Sequence, residues 1–335
     1  MKIILLLVYL YQIFKTTEAE GFRIVSSYTK YSEKFPPEKI NWNIYTHIHA
    51  GKPIVFPNGT AICNKSNTLI QQIIKTGHDN NRIIQWGSGF DIYNYVFATN
   101  NVSIKNNYLN SINQATEDCN IDGIVVDYEY AKDSLGKFGI VSLKMAKLYT
   151  QFLVDLKSKL GTKIVSADIG IWGLSYGTYP LGFFPWIDVK KLNDGKFDFV
   201  NVMSYQWDQN GSINQYKIDI FILTKIWKIN PERINLGIPY FTKNKTNIFT
   251  MGPPWRELSY KCKNVSIETN ICNGITFVGK KMNKDIGNLI KTNKLGGAFP
   301  WAANYDSVQY GNSLVNWLAK GLGLDIDLFN SETRR

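Results

Sequence analysis

The chain has 335 residues, 44% of them hydrophobic and 14% aromatic, with 38 Lys and Arg against 27 Asp and Glu. This composition can bury enough apolar surface to offset the ordering entropy of the chain, which excludes a disordered or fibrous protein. The net charge of +11 comes mostly from Lys scattered along the sequence, with no basic block interleaved with stacking aromatics, so it describes a solvated surface and argues against a nucleic-acid partner.

In chain order, residues 1–19 read as a secretory signal peptide: Met1-Lys2 is positive, residues 3–14 are apolar apart from Gln12, and Thr17-Glu18-Ala19 offers a cleavage site. The apolar run is too short for a bilayer core of about 30 Å, and no later segment is long enough, so no membrane span is expected. A secreted chain beginning near Glu20 or Gly21 is expected. Apolar, β-branched runs predict strands at 22–27, 45–50, 82–86, 123–128, 163–169, 199–203, 234–239 and 297–301. Helical periodicity predicts helices at 68–76, 104–118 and 141–160, the last with Leu143, Ala146, Leu148 and Leu153 on one face, and a final helix at 313–320. Alternating β and α implies a parallel sheet, and eight repeats match an α/β fold closed as a (β/α)8 TIM barrel better than two smaller domains. One domain over 20–322 is expected, followed by a polar tail at 323–335.

Export gives the four Cys an oxidising context and predicts two disulfides, Cys262 with Cys272 across a short loop and Cys63 with Cys119. Asn58, Asn64, Asn101, Asn210, Asn244 and Asn264 each begin an N-x-[ST] sequon, a glycosylation signal in a eukaryotic secretory pathway. Only His47, His49 and His78 are present and no Ser stands in a G-x-S-x-G elbow, so no metal site or cofactor is expected and any chemistry falls to carboxylates.

Barrel enzymes carry their sites at the C-terminal ends of the strands. Residues 122–130 read D-G-I-V-V-D-Y-E-Y, an apolar strand closing on two carboxylates. Alternation puts Gly123, Val125, Asp127 and Glu129 on one face, the inner one in a barrel. Two acids converging in a partly dry site raise one another's proton affinity, as a general acid near neutral pH requires. A solvated loop entry or a cation site is the alternative that spacing alone leaves open.

This strand resembles the signature D-G-x-D-x-D-x-E of the family 18 glycoside hydrolases, which include chitinases and chitinase-like lectins. Asn201-Val202-Met203-Ser204-Tyr205 is similar to the family's sixth-strand motif, Leu236-Gly237-Ile238-Pro239-Tyr240 to its seventh, and residues 296–301 to the eighth, which ends in a sugar-stacking Trp. The resemblance runs from about Phe22 to Asp306. It implies substrate-assisted retaining catalysis on β-1,4-linked N-acetylglucosamine: Glu129 protonates the glycosidic oxygen, the substrate's own acetamido oxygen attacks the anomeric carbon, Asp127 orients the acetamido N–H, and the Tyr205 hydroxyl holds its oxygen. Trp301 would lie under the sugar, with Met203, Tyr28, Trp86 and Gln206 as further substrate contacts.

Three positions depart from the pattern. Val125 replaces the motif's middle Asp, Gln85-Trp86-Gly87-Ser88 stands for the third-strand S-x-G-G, and Gln206 replaces the Asp after the sixth-strand Tyr, with Asp208 two residues on. A slower enzyme or a shifted pH optimum follows from the loss at Val125, and the alternative is a chitinase-like lectin that binds chitin or N-acetylglucosamine oligomers without useful turnover. Release of N-glycans would use the same acetamido chemistry. Between Tyr240 and Gly296 there is room for the Cys262–Cys272 loop but little for a full α+β insertion, so a shallow groove is expected, with Trp86, Trp172, Trp207 and Trp255 divided between groove and core. A monomer meeting a neutral sugar polymer or its oligomers completes the expectation.

Overall fold

In the computed structural model, residues 21–29, 35–88, 101–127, 143–171, 187–205, 212–244, 247–262 and 266–324 are described. The first half of the chain runs β1 (Arg23–Tyr28), β2 (His47–Ala50), a hairpin of β3 (Ile54–Val55) and β4 (Ala61–Ile62), α1 (Thr68–Asp79), β5 (Ile83–Ser88), α2 (Val102–Asp118), β6 (Gly123–Asp127) and α3 (Leu143–Leu160). The second half opens with β7 (Ile164–Gly170), α4 (Val189–Asn193), β8 (Phe199–Met203), α5 (Ile213–Phe221) and β9 (Ile234–Pro239). It continues through β10 (Phe241–Asn244), β11 (Asn247–Pro254), α6 (Trp255–Lys261), β12 (Ile271–Cys272), β13 (Ile275–Thr276), α7 (Lys280–Thr292), β14 (Gly297–Trp301) and α8 (Leu314–Leu322).

Strands β1, β2, β5, β6, β7, β8, β9 and β14 close in that order into a parallel barrel, so the predicted α/β barrel is the observed fold. The last three predicted strands coincide with the observed ones, and the other five are displaced by one or two residues at one or both ends. Alternation then sorts each strand into two faces. Ile24, Ile48, Ile84, Ile124, Val126, Val165, Ala167, Val200, Val202, Leu236 and Ile238 look outward into the layer covered by the helices. Val25, Phe199, Met203 and Phe299 look inward and form a separate small core inside the barrel.

Helix ends carry local signals. Asn67 caps α1 by accepting from Ile70 N, Asn101 caps α2 by accepting from Ser103 N and Ile104 N, and Ser313 caps α8 by accepting from Asn316 N. Asp306 adds a second anchor to α8, its carboxylate accepting from Leu314 N at 2.7 Å, Val315 N at 3.1 Å and the Ser313 hydroxyl at 2.7 Å.

Between β9 and β14 the chain builds more than a disulfide loop. A four-stranded antiparallel sheet in the order β11-β10-β13-β12, with α6 beside it, occupies residues 241–276. These strands are two to eight residues long and two of them carry no extended apolar run, so periodicity gave no warning of them. Cys262 is bonded to Cys272 and Cys63 to Cys119, as expected. Among the described residues, no helix is long and apolar enough to cross a membrane.

The barrel interior also holds His47 and His49. His47 meets Phe199 edge to face at 5.7 Å and His49 lies tilted against Phe299 at 5.7 Å. His47 Nδ1 shares a hydrogen bond with the Thr46 hydroxyl at 2.8 Å, and His49 Nδ1 with the Ser27 hydroxyl at 3.4 Å. Burial pushes both imidazoles down to about 3, so the rings are neutral. The unfolded chain binds protons at these positions below pH about 6.5 while the folded chain does not, so their contribution to stability is complete above 6.5 and is lost as pH falls toward 3. At pH 4 the loss is on the order of 3 kcal/mol per histidine. Two buried carboxyls act in the opposite sense, since burial raises Asp219 to about 7 and Asp306 to about 6. A His47→Gln/His49→Gln variant, compared with wild type by denaturant unfolding at pH 7 and pH 4, should therefore lose less stability on acidification. Equal losses in the two proteins would show that the imidazoles are not the source.

Candidate active site

The residues singled out on β6, β8 and β14 meet at one end of the barrel. Asp127 is the last residue of β6, on the inner face and half-buried. Met203 ends β8, buried, and Tyr205 follows two residues on with the same inward parity. Trp301 ends β14, half-buried and packed against the inner core. All three strands run parallel, so their C-terminal ends form the same mouth.

The turn after β8 aims Tyr205. Ser204 N donates to Val202 O at 2.8 Å, a tight bend that keeps residue 205 over the barrel. Gly237 on β9 leaves the space it needs: a Cβ there would overlap Val202 O, lie 2.8 Å from Ser204 N and reach 3.1 Å from the Tyr205 ring. The Tyr205 ring then stands 6.4 Å from Trp301, 6.4 Å from Phe299 and 5.8 Å from Phe241, the last edge to face. Trp301 is braced in turn by Phe241 at 5.6 Å and Tyr305 at 5.5 Å, both edge to face, an arrangement favoured by ring quadrupoles. An indole packed against three neighbouring rings has its orientation set before any ligand arrives.

Tyr28 and Trp86 occupy different ground. Tyr28 is 7% exposed and its hydroxyl donates to Phe35 O, while Trp86 is 1% exposed and packs in the outer layer on the strand face opposite Gln85. Both border an open recess of about 920 Å³, walled also by Lys52, Ile54 and Val55 at the β3–β4 hairpin and by Ile70 on α1. Asp127, Met203, Tyr205 and Trp301 do not line this recess, which lies on the β2 and β5 side of the mouth. Trp255 is 1% exposed, its indole N–H donating to Asn312 O at 2.7 Å, and belongs to the packing under β10.

Glu129, Gln206, Asp208, Trp172 and Trp207 lie outside the described residues, as do Asn210 and Asn264. Of the remaining sequons, Asn58 and Asn101 are exposed and Asn64 is half-buried. Asn58 Oδ1 accepts from Thr60 N at 3.0 Å and Asn64 Oδ1 from Ser66 N at 3.2 Å, both Asx turns. Asn244 sits at the end of β10.

Periodicity named the inner-facing acid of β6 but passed over the polar residues beside it. Gln85, Ser166, Asp168, Asn201 and Asn235 are all buried and turned inward, with Gln85 Nε2 donating to Ser166 Oγ at 3.1 Å across the lumen. The period of two applied to 163–169 would have put Ser166 and Asp168 on one face, a detectable signal in a strand otherwise apolar.

No curated protein sequence is similar enough to the chain to count as a relative. Solved structures of the same fold include the family 18 chitinase from the chitin utilization locus of Flavobacterium johnsoniae, 20% identical with a TM-score of 0.68, the alignment covering 90% of this chain and 94% of that one. The group IV chitinase of Ostrinia furnacalis, in complex with allosamidin, is 13% identical with a TM-score of 0.69, over 90% of this chain and 99% of that one. A Cycas revoluta family 18 chitinase variant in complex with (GlcNAc)4 is 16% identical with a TM-score of 0.67, over 90% and 100%. At these identities the likeness establishes the barrel. The sequence profile of glycosyl hydrolases family 18 matches residues 23–306, from the first residue of β1 to the carboxylate that anchors α8, and the chain belongs to that family.

Proposed function

We propose that the protein is a secreted glycoside hydrolase that cleaves β-1,4-linked N-acetylglucosamine, in chitin or its oligomers, by substrate-assisted retention. One observation carries the reading: in a family 18 barrel, an inner-facing carboxylate, a tyrosine and a tryptophan packed among aromatic rings stand at the ends of β6, β8 and β14 around one mouth. Glu129, two residues beyond Asp127 in the sequence, is the proton donor to the glycosidic oxygen. The acetamido oxygen of the sugar attacks its own anomeric carbon, the glycosidic bond breaks with its electrons going to the protonated leaving oxygen, and water opens the resulting oxazolinium ring. Asp127 accepts the acetamido N–H, which aligns the internal nucleophile, and the Tyr205 hydroxyl donates to the acetamido oxygen. Trp301 offers its face to the apolar side of the pyranose.

The neighbours solved with allosamidin and with (GlcNAc)4 support the substrate class. The two disulfides support export, for which residues 1–19 provide the signal and Asn58, Asn64 and Asn101 the glycosylation sites.

The test is substrate dependence. Chitotetraose should be cleaved with the β-anomer appearing first by NMR, and the fully deacetylated oligomer should remain intact because it lacks the internal nucleophile. Equal cleavage of both would overturn the substrate-assisted route. Retention on chitin beads with no cleavage of chitotetraose from pH 3 to 8 would replace the enzyme with a lectin, the reading that the buried Val125 and the replacement at Gln206 favour.

A further inference from the structure

The polar residues inside the barrel form a belt that ends at the mouth. Asp127 on β6 pairs in register with Asp168 on β7, Asp168 with Asn201 on β8, and Asn201 with Asn235 on β9. Residues in register on neighbouring parallel strands point the same way at a spacing of about 4.8 Å. The belt is hydrogen-bonded in one direction: Arg23 Nε donates to Asn235 Oδ1 at 3.1 Å, Asn235 Nδ2 to Asn201 Oδ1 at 2.9 Å, and Asn201 Nδ2 to Asp168 Oδ1 at 2.8 Å. Each amide turns its N–H toward Asp168, and the line starts from a guanidinium.

That cation is built in. Arg23 lies over the Phe199 ring at 4.6 Å and donates to Glu232 O at 2.5 Å, and a Cβ at position 296 would overlap its guanidinium, so the glycine there is what admits it. Burial lowers Arg23 to about 10, which leaves it protonated at neutral pH. Asp168 is only 6% exposed, and while burial by itself favours the neutral acid, the amide N–H it accepts, at the end of a line polarised from Arg23, favours the anion. With Asp168 as the anion, Asp127 would stand in register one strand away from a negative charge, and carboxyls so placed couple their titrations, so that one of them holds its proton above the ordinary range. On β6 itself the inner position below Asp127 is Val125, 1% exposed, so among the described residues Asp127 and Asp168 are the carboxyls of the inner face.

We propose that Asp168 is the second carboxylate of the candidate site, a positioning residue that stays ionised and keeps the proton of the pair on Asp127. A protonated Asp127 retains a carbonyl oxygen for an acetamido N–H and presents an O–H at the mouth. The consequence for turnover rests on the proposed glycosidase function, whereas the protonation does not. Among the described residues, those facing Asp168 include Asp127 from β6, Asn201 from β8 and, through Asn235, Arg23 from β1. From α3 the Tyr149 hydroxyl donates to Val126 O at 2.7 Å and to Asp168 O at 3.4 Å, a backbone contact behind the strand. Further round the lumen His47 and His49 are neutral, Tyr205 stands at the mouth, and Glu129 lies outside the described residues.

The experiment is a titration of the side-chain carboxyls by ¹³C NMR on the intact secreted chain, with Asp127 assigned by the signal lost in Asp127→Asn. In wild type the Asp127 carboxyl should titrate above the ordinary aspartate range. In Asp168→Asn, which keeps an oxygen to accept from Asn201, it should return to that range, and in Val125→Asp/Asp168→Asn it should rise again, because a carboxylate is restored on the inner face from β6. An Asp127 carboxyl that titrates in the ordinary range in wild type overturns the proposal whether or not any variant folds, and one unchanged by Asp168→Asn overturns it equally. If chitotetraose is cleaved, Asp168→Asn should lower kcat by about 10-fold or more with KM little altered and move the pH profile, and Val125→Asp should recover part of the loss. If wild type cleaves nothing, the proposed function falls and the titration still decides the role of Asp168.

Discussion

Glu129→Gln should lower kcat on a fluorogenic chitotrioside by roughly 10²- to 10⁴-fold while leaving KM and retention on chitin nearly unchanged. Gln fills the same volume and keeps a hydrogen-bonding oxygen but has no proton to give, so only the step that needs an acid is removed. Binding is left to groups elsewhere at the mouth, the braced Trp301 and Tyr205 in particular, whose ring contacts do not involve position 129. A variant with more than a tenth of wild-type kcat would mean that the proton comes from another group and that the β6 motif was misassigned. Loss of chitin binding together with turnover would instead point to a folding defect, which a melting curve separates from a chemical one.

Opening the Cys63–Cys119 bridge should cost about 4 kcal/mol and opening Cys262–Cys272 about 3 kcal/mol, by the loop-closure estimate for separations of 56 and 10 residues. The longer bridge joins the end of the β3–β4 hairpin to the C-cap of α2, so its loss loosens an element otherwise tied by a two-residue pairing, by Ala61 N donating to Ser111 Oγ at 2.8 Å and by Asn107 Nδ2 donating to Asn58 O at 2.8 Å. The shorter bridge closes α6 onto β12, a segment already paired into the four-stranded sheet. Denaturant unfolding of Cys63→Ala/Cys119→Ala and Cys262→Ala/Cys272→Ala measures both, and a larger loss from the shorter loop would reverse the entropic ranking. The recess bordered by Ile54, Val55 and Cys119 should become more exposed in the first variant alone.

The fold was legible because each barrel strand buries both faces and therefore writes itself as an apolar run. At 199–203, 234–239 and 297–301 the predicted and observed strands coincide, since Asp198, Arg233 and Gly296 mark where these runs begin. The short hairpin and the four-stranded sheet were not legible, because β3, β4, β12 and β13 are only two residues long, too short to show a period, and β10 meets β13 across more than thirty residues of chain. For the site, Asp127 was visible as a carboxylate ending an apolar run. Asp168 was not singled out, because it stands mid-strand among apolar neighbours and its meaning depends on which strand lies beside it.

By itself, then, the sequence determined the alternating apolar runs, the barrel they close into and Asp127 on the inner face of β6, because these follow from the period of a strand, whereas Tyr205 and Trp301 were reached through the family resemblance and the disulfide pairing was one of the three that four Cys allow. Only the tertiary structure decided what is neighbour to what. Closing the barrel places β7 between β6 and β8, which sets Asp168 in register with Asp127 and ties it through Asn201 and Asn235 to Arg23, some two hundred residues away along the chain from Asn235. Charge and proton affinity depend on distance in space, and the barrel supplies that distance.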